Sequence, residues 1–251
     1  MATRRNLGIV AGLLLAWMQA PALAADMPIK AFPAAAEPID YGNLYFGTDV
    51  NTHRGLVGYG GLLYAPGGMD NSGLRIAIFG LYGKYEYSHD DSANTFKGRF
   101  ASVDALVGYS KAYDNAAVTL AIGANYQDQR VSPFDPGNSV QGEKVGFKVQ
   151  GDFWVNPTEQ TLVMGIASYS TAFNTYYSIL RFGYDFFGKD FFIGPEFGAL
   201  GNARTDQQRV GLAISGIPVG KRVRLTLSGG WLHERNEKDG AYATANIDFT
   251  F

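Results

Sequence analysis

The sequence predicts an all-β chain, an antiparallel up-and-down transmembrane β-barrel of about twelve strands behind a cleaved signal peptide. Three observations point there. First, the last eleven residues alternate without a break: Ala243, Ala245, Ile247, Phe249 and Phe251 are apolar, while Thr244, Asn246, Asp248 and Thr250 are polar. Period two over that length means a strand with one greasy and one wet face, and about ten residues suffice to cross a bilayer at a tilt. Second, Arg4 and Arg5 precede the apolar run Leu7–Trp17, and Pro21-Ala-Leu-Ala24 offers small residues for cleavage. That order marks export, with the cut expected after Ala24. Third, the chain holds 32 Gly, 17 Phe and 15 Tyr in 251 residues, yet its mean hydropathy is only −0.08. Alternating lipid-facing and lumen-facing residues reconcile these numbers.

The elements follow in order. Residues 1–24 are the expected signal peptide, and 25–40 a Pro/Ala-rich periplasmic leader with too many prolines for a helix. The barrel is expected over 41–251, with strand-like runs at 41–51, 54–65, 74–87, 99–111, 117–127, 142–154, 161–171, 175–187, 190–200, 206–216, 222–234 and 241–251. With both termini periplasmic, short inner turns should alternate with longer outer loops, the longest being Ser88–Gly98 and Asp128–Gln141. Trp154 and Trp231 sit near strand ends, where aromatic girdles are expected. The chain has no cysteine, which excludes lipoprotein anchoring and disulfides, and its net charge of −2 gives no field for nucleic acid.

Strand parity assigns Val118, Leu120, Ile122, Ala124, Tyr126, Val145, Phe147 and Val149 to the outer face. The opposite parity carries Thr119, Asn125, Gln127, Lys144, Lys148, Gln150, Asp152, Asp49, Arg75, Asp104, Arg181, Asp185, Glu196, Arg209, Arg222, Arg224 and Asp248, with Tyr45, Tyr59, Tyr177 and Tyr242. Both signs of charge occur. They either pair as a plug, because a buried unpaired charge is expensive, or line a wet bore. Tyrosine faces can stack on sugar rings and carboxylates accept sugar hydroxyls. Tyr45, Tyr177, Asp152, Asp185, Glu196 and Arg181 are therefore the candidate glucan contacts. The three histidines, His53, His89 and His233, fall at outer strand ends or loops. Ser88 and His89 are neighbours that point to opposite faces, no Gly-x-Ser-x-Gly elbow is present, and no close histidine pair suggests a metal. No catalytic residue, cofactor or metal is expected, and an outer-membrane lipid-modifying enzyme is the weaker reading.

The final strand is similar to the terminal strand of bacterial outer-membrane barrels, which implies that Phe249 and Phe251 form the insertion signal read by the barrel-assembly machinery. Four further segments resemble the cellulose biosynthesis protein family BcsS: Phe100-Ala-Ser-Val-Asp-Ala-Leu-Val-Gly-Tyr109, Gly146-Phe-Lys-Val-Gln-Gly-Asp-Phe153, Ala167-Ser-Tyr-Ser-Thr-Ala-Phe-Asn-Thr-Tyr176 and Ile193-Gly-Pro-Glu-Phe-Gly-Ala-Leu-Gly-Asn202. The resemblance runs from about Tyr45 to Phe251, and none of these segments is a mechanistic signature. It implies an accessory outer-membrane barrel of cellulose (exopolysaccharide) production, with no catalytic step, assisting glucan passage or engagement. The alternatives are a general solute or oligosaccharide porin and a non-conducting docking barrel. The implied partners are outer-membrane lipid and lipopolysaccharide, the assembly machinery, and cellulose or its synthesis components.

Overall fold

The computed structural model describes residues 39–88, 95–189, 191–235 and 239–251. The expected signal peptide, most of the leader, and His89 with Asp90 and Asp91 lie outside the described residues. Twelve antiparallel strands form a closed barrel: β1 Gly42–Asn51, β2 Leu56–Tyr64, β3 Gly73–Ser88, β4 Thr95–Tyr113, β5 Ala116–Ser132, β6 Gly142–Val155, β7 Thr161–Ser170, β8 Thr175–Tyr184, β9 Phe192–Gly201, β10 Asp206–Pro218, β11 Val223–Glu234 and β12 Gly240–Thr250. Each strand pairs with its sequence neighbours, and β1 closes on β12. A closed sheet leaves no edge of unpaired backbone groups, which lipid could not satisfy.

Register and burial confirm the two faces. On β5, Val118, Leu120, Ile122 and Tyr126 are exposed on the outside, while Asn125, Gln127 and Gln129 are buried inside. On β12, Ile247 and Phe249 are exposed and Tyr242 is buried, and Phe251 just beyond the strand is exposed as well. The outer stripe of β4 runs from Val103 to Tyr113. At about 3.3 Å per residue and a tilt of about 40° it covers ~25 Å of barrel axis, the height of the apolar band in outer-membrane barrels. The end at which β1 begins and β12 finishes is the terminal rim, and the opposite end is the distal rim.

The seam is tightly made. The Phe251 carbonyl accepts from the Tyr41 and Gly42 amides at 2.6 and 3.0 Å, and its own amide donates to Gly42 at 3.0 Å. Outside the seam, the Phe249 and Phe251 rings stack with centroids 6.3 Å apart. A Cβ on Gly42 would lie 2.5 Å from the Phe251 ring, so the glycine gives that ring its seat. The same device recurs inside, where an aromatic ring lies over a glycine on the neighbouring strand: Tyr45 over Gly61, Tyr59 over Gly47, Phe100 over Gly83 and Tyr85 over Gly98.

The connections differ from expectation. Those at the distal rim (52–55, 89–94, 133–141, 171–174, 202–205 and 235–239) are not generally longer than those at the terminal rim. Asymmetry comes from strand length instead. The 16, 19 and 17 residues of β3, β4 and β5 carry paired backbone into the segments the sequence suggested were loops, over residues 95–98 and 128–132. In this extension the polarity of the alternation inverts. Below it Ile76 and Ile78 face lipid; above it Tyr85, Tyr87, Phe96 and Phe100 turn inward and stack, while Lys84, Glu86, Lys97 and Arg99 face outward. Once the outside is water, the hydrophobic effect puts the rings in the core. One girdle assignment also changes. Trp231 faces outward, but Trp154 lies opposite Ala117 and Met164 on lumen parity, at the terminal mouth.

Ile122 sits opposite Val107, near the middle of the apolar band. Ile122→Arg should cost about 2–4 kcal/mol in urea-refolding titrations in vesicles, whereas Gln150→Arg, which points into the lumen, should cost much less. Deleting Phe251 removes three seam hydrogen bonds and should slow the appearance of the heat-modifiable folded band on gels.

Candidate functional site

The lumen is built from two hydrogen-bonded braces and an aromatic strip between them. The first brace centres on Asn125 of β5, which is 1% exposed. Its amide donates to Asp104 at 2.5 Å and Ser102 at 2.7 Å, and its oxygen accepts from Ser170 at 2.7 Å and Gln127 at 2.8 Å. That uses its full hydrogen-bonding capacity. Lys148 completes the group as the ion-pair partner of Asp104. Gln127 continues to Thr175 at 2.9 Å, so the brace spans the wall from β4 to β8. It passes over Gly146, where a Cβ would lie 2.3 Å from the Ala172 amide nitrogen. Glycine there lets the Thr171–Asn174 turn fold into the lumen, burying Ala172 and Phe173.

The second brace crosses β8 to β1. Glu196, fully buried, pairs with Arg181 directly opposite it. Glu196, Gly211, Gly230 and Tyr242 form one row across β9–β12. Two glycines leave a floor over which Tyr242 reaches to donate to Glu196 at 2.8 Å. A Cβ on Gly211 would meet that hydroxyl at 2.6 Å. Arg209 forks onto Asp49 at 2.5 and 2.9 Å and lies 4.7 Å from the Tyr242 ring centroid. Thr244 donates to Asp49 at 2.7 Å, and Gln207 accepts from Arg209 at 2.7 Å. These buried charges are paired, as the cost of isolating them demands.

Between the braces, Tyr45 and Tyr59 lean on Phe79, with ring centroids 6.2 and 6.1 Å away. Tyr177 shares lumen parity with Arg181, yet it is 41% exposed, so it borders open space inside the barrel. Asp152 and Asp248 face the same space, and with Tyr177 they are close enough to Tyr45 to act on it electrostatically. Among the described residues neither carboxylate makes an ion pair; Asp248 accepts from Asn246 at 2.7 Å. The structure thus brings Tyr45, Tyr177 and Asp152 together and places Arg181 and Glu196 in the adjoining brace. Asp185 lies apart, buried in the terminal-rim turn, where it accepts from the Phe187 amide at 3.0 Å. Phe79 was missed as a site residue, although its parity with Arg75 was there to be read.

The distal mouth is crossed by loop 133–141. Asp135 accepts from the inward Tyr87 hydroxyl of β3 at 2.7 Å, Asn138 donates to that hydroxyl at 3.1 Å, and Arg204 donates to the Gly137 carbonyl. Strand β3 and the β9–β10 connection that carries Arg204 stand on opposite sides of the ring. Val140 is buried beneath the crossing. At the terminal rim, Arg75 donates to the Met69 and Asn71 carbonyls at 2.9 and 2.7 Å and fixes turn 65–72. His53 and His233 are distal, paired with Glu234 and Asp239.

Among solved structures the chain is similar to the COG4313 outer membrane channel from Pseudomonas putida F1, at 13% identity and a TM-score of 0.55, covering 89% of this chain and 100% of that one. It is also similar to a TodX deltaS2S3 mutant monoaromatic hydrocarbon channel, at 6% identity and a TM-score of 0.50, covering 84% and 90% of the two chains. These likenesses bear on the fold, that of outer-membrane barrels. No curated protein matches the chain in sequence. The family model "Cellulose biosynthesis protein BcsS" matches residues 44–251, the whole barrel apart from its first few residues, and the chain belongs to that family.

Proposed function

We propose that the protein is an accessory outer-membrane barrel of cellulose production that engages glucan in its lumen and is closed at rest. The carrying observation is the strip Tyr45, Tyr59, Phe79 and Tyr177 beside Asp152 and Asp248, carboxylates that make no ion pair among the described residues. Flat aromatic faces beside carboxylates suit a sugar chain. Its rings present C–H faces to the aromatics, and its hydroxyls donate to the acids. Such contacts need neither a nucleotide-sugar site nor a catalytic group, so the role assigned is binding. Closure is supported by loop 133–141, which ties β3 to Arg204 across the mouth. Engagement would then start from the terminal rim, the side on which newly made glucan would arrive if the termini are periplasmic. The family supports association with cellulose synthesis components, and docking of such a component at the rims is compatible with this reading.

Two measurements test it. Purified mature barrel in planar bilayers should show little steady conductance. Tyr87→Phe with Arg204→Ala, which removes the Tyr87–Asp135, Asn138–Tyr87 and Arg204–Gly137 hydrogen bonds of loop 133–141, should raise the open fraction severalfold; a wide, steady wild-type pore would overturn the closed state. Cellohexaose binding by calorimetry should weaken about tenfold in Tyr177→Ala with Asp152→Asn, as expected when one stacked ring and one charged acceptor are lost. Equal affinity in the folded double variant would remove the strip from the mechanism.

A further inference from the structure

The strand extension above the apolar band carries a feature the lumen does not use. Lys84, Arg99 and Arg130 stand directly opposite one another on β3, β4 and β5, all exposed on the outer face. Like charges directly opposite in a sheet repel, so the Lys84–Arg99 pair, with Arg130 beside it, is unfavourable unless something anionic covers it. Glu86 on this face takes Arg54 at 2.5 Å and Lys97 at 4.0 Å, and Asp128 takes Arg130 at 2.8 Å, with Glu143 directly opposite Asp128 on β6 and close enough to act on Arg130. Lys84 and Arg99 have no carboxylate within ion-pair distance among the described residues.

Position narrows the ligand. One outward row below stands Tyr82, and Tyr126 with Val103 forms the row below that. Two residues along a tilted strand rise about 5 Å, which places the cations ~5–10 Å above the last apolar row. That is headgroup depth, since the polar zone of a bilayer leaflet is only several ångströms thick. A row on the outer wall, beside lipid and away from the bore, meets lipid phosphates before it meets any solute of the lumen.

We propose that Lys84, Arg99 and Arg130 form a binding site for the phosphorylated headgroup of an outer-leaflet lipid, with Tyr82 at the junction between headgroup and acyl chains. Guanidinium groups fork onto phosphate oxygens and the lysine adds a point charge, so a lipid with two phosphates fits a three-cation row better than one with none. The bound lipid would relieve the repulsion along the row and fasten the β3–β5 extension to the leaflet surface. The site is independent of the lumen reading and survives its failure.

The test is native mass spectrometry of the full refolded mature barrel, released from detergent with diphosphoryl lipid A as the probe. Wild type should retain one lipid A through activation that strips dephosphorylated lipid A. The triple variant Lys84→Gln, Arg99→Gln, Arg130→Gln should bind about 100-fold more weakly, at roughly fivefold per cation. A control triple at the terminal rim, Lys111→Gln, Lys189→Gln, Lys221→Gln, removes the same charge and should bind as wild type. Inorganic phosphate at equal phosphate concentration should not displace the lipid. Equal losses in both triples, retention of dephosphorylated lipid A, or full competition by inorganic phosphate would each overturn the site. Heat-modifiable migration of every variant reports that the barrel is folded.

Discussion

The rest of the structure depends on one constraint: inside a bilayer, each backbone N–H and C=O must be paired by the protein itself. A twelve-strand sheet meets it only by closing, and closure is decided at the β1–β12 seam, where nine residues of each strand are in register and the final residue bonds back to Tyr41 and Gly42. The seam joins the first strand to the last, so it forms with the largest separation along the chain. Local turn chemistry cannot specify it, and the specification comes from shape. Phe251 fits over Gly42 in one register, and a slip of one residue would turn every lipid-facing side chain of β12 into the lumen.

Closure also explains which parts were legible in the sequence. Where the outer face meets lipid and the inner face water, alternation is strong, and strands such as β6, β7 and β11 fall within about a residue of the expected limits. At the distal end the outer face meets water, and the same alternation changes sign. Lys84-Tyr85-Glu86-Tyr87 and Phe96-Lys97-Gly98-Arg99-Phe100 are strands whose rings point inward. The first lay within the expected strand 74–87, but read with a fixed rule of apolar outside, Phe96-Lys97-Gly98 resembles a polar loop, and β4 and β5 were expected to be several residues too short. Trp154 failed for a related reason. Nearness to a strand end does not reveal on which face of the end a ring lies.

Within the lumen, parity gave the list of inward residues but not their partners. Parity is a property of one strand, whereas a brace is a property of a row crossing several strands. Arg209 reaches Asp49 across two intervening strands. Tyr242 reaches Glu196 because Gly211 and Gly230 occupy the row between them. Glycine in a strand usually weakens it, but here the absent Cβ is the space that a neighbouring ring or hydroxyl fills. The high glycine count therefore serves lateral reach as well as the curvature of a closed sheet.

This arrangement has a consequence for what the lumen can do. The two braces lie along opposite stretches of wall and tie together strands up to three places apart, so they stiffen the barrel along its wall. The space left between them is bordered by the exposed Tyr177 and by carboxylates outside the ion pairs. A plug would require the remaining charges to pair as well, and a wide pore would require the Thr171–Asn174 turn and loop 133–141 to stand clear of the mouth. Neither holds. Gly146 draws the turn inward, and the Tyr87–Asp135 hydrogen bond holds the loop over the opening. The strands are fixed by the sheet and the braces, whereas the distal covering is joined to the wall through side-chain hydrogen bonds. The covering is thus held by a few side-chain hydrogen bonds at one rim, whereas the aromatic strip is held by the wall itself.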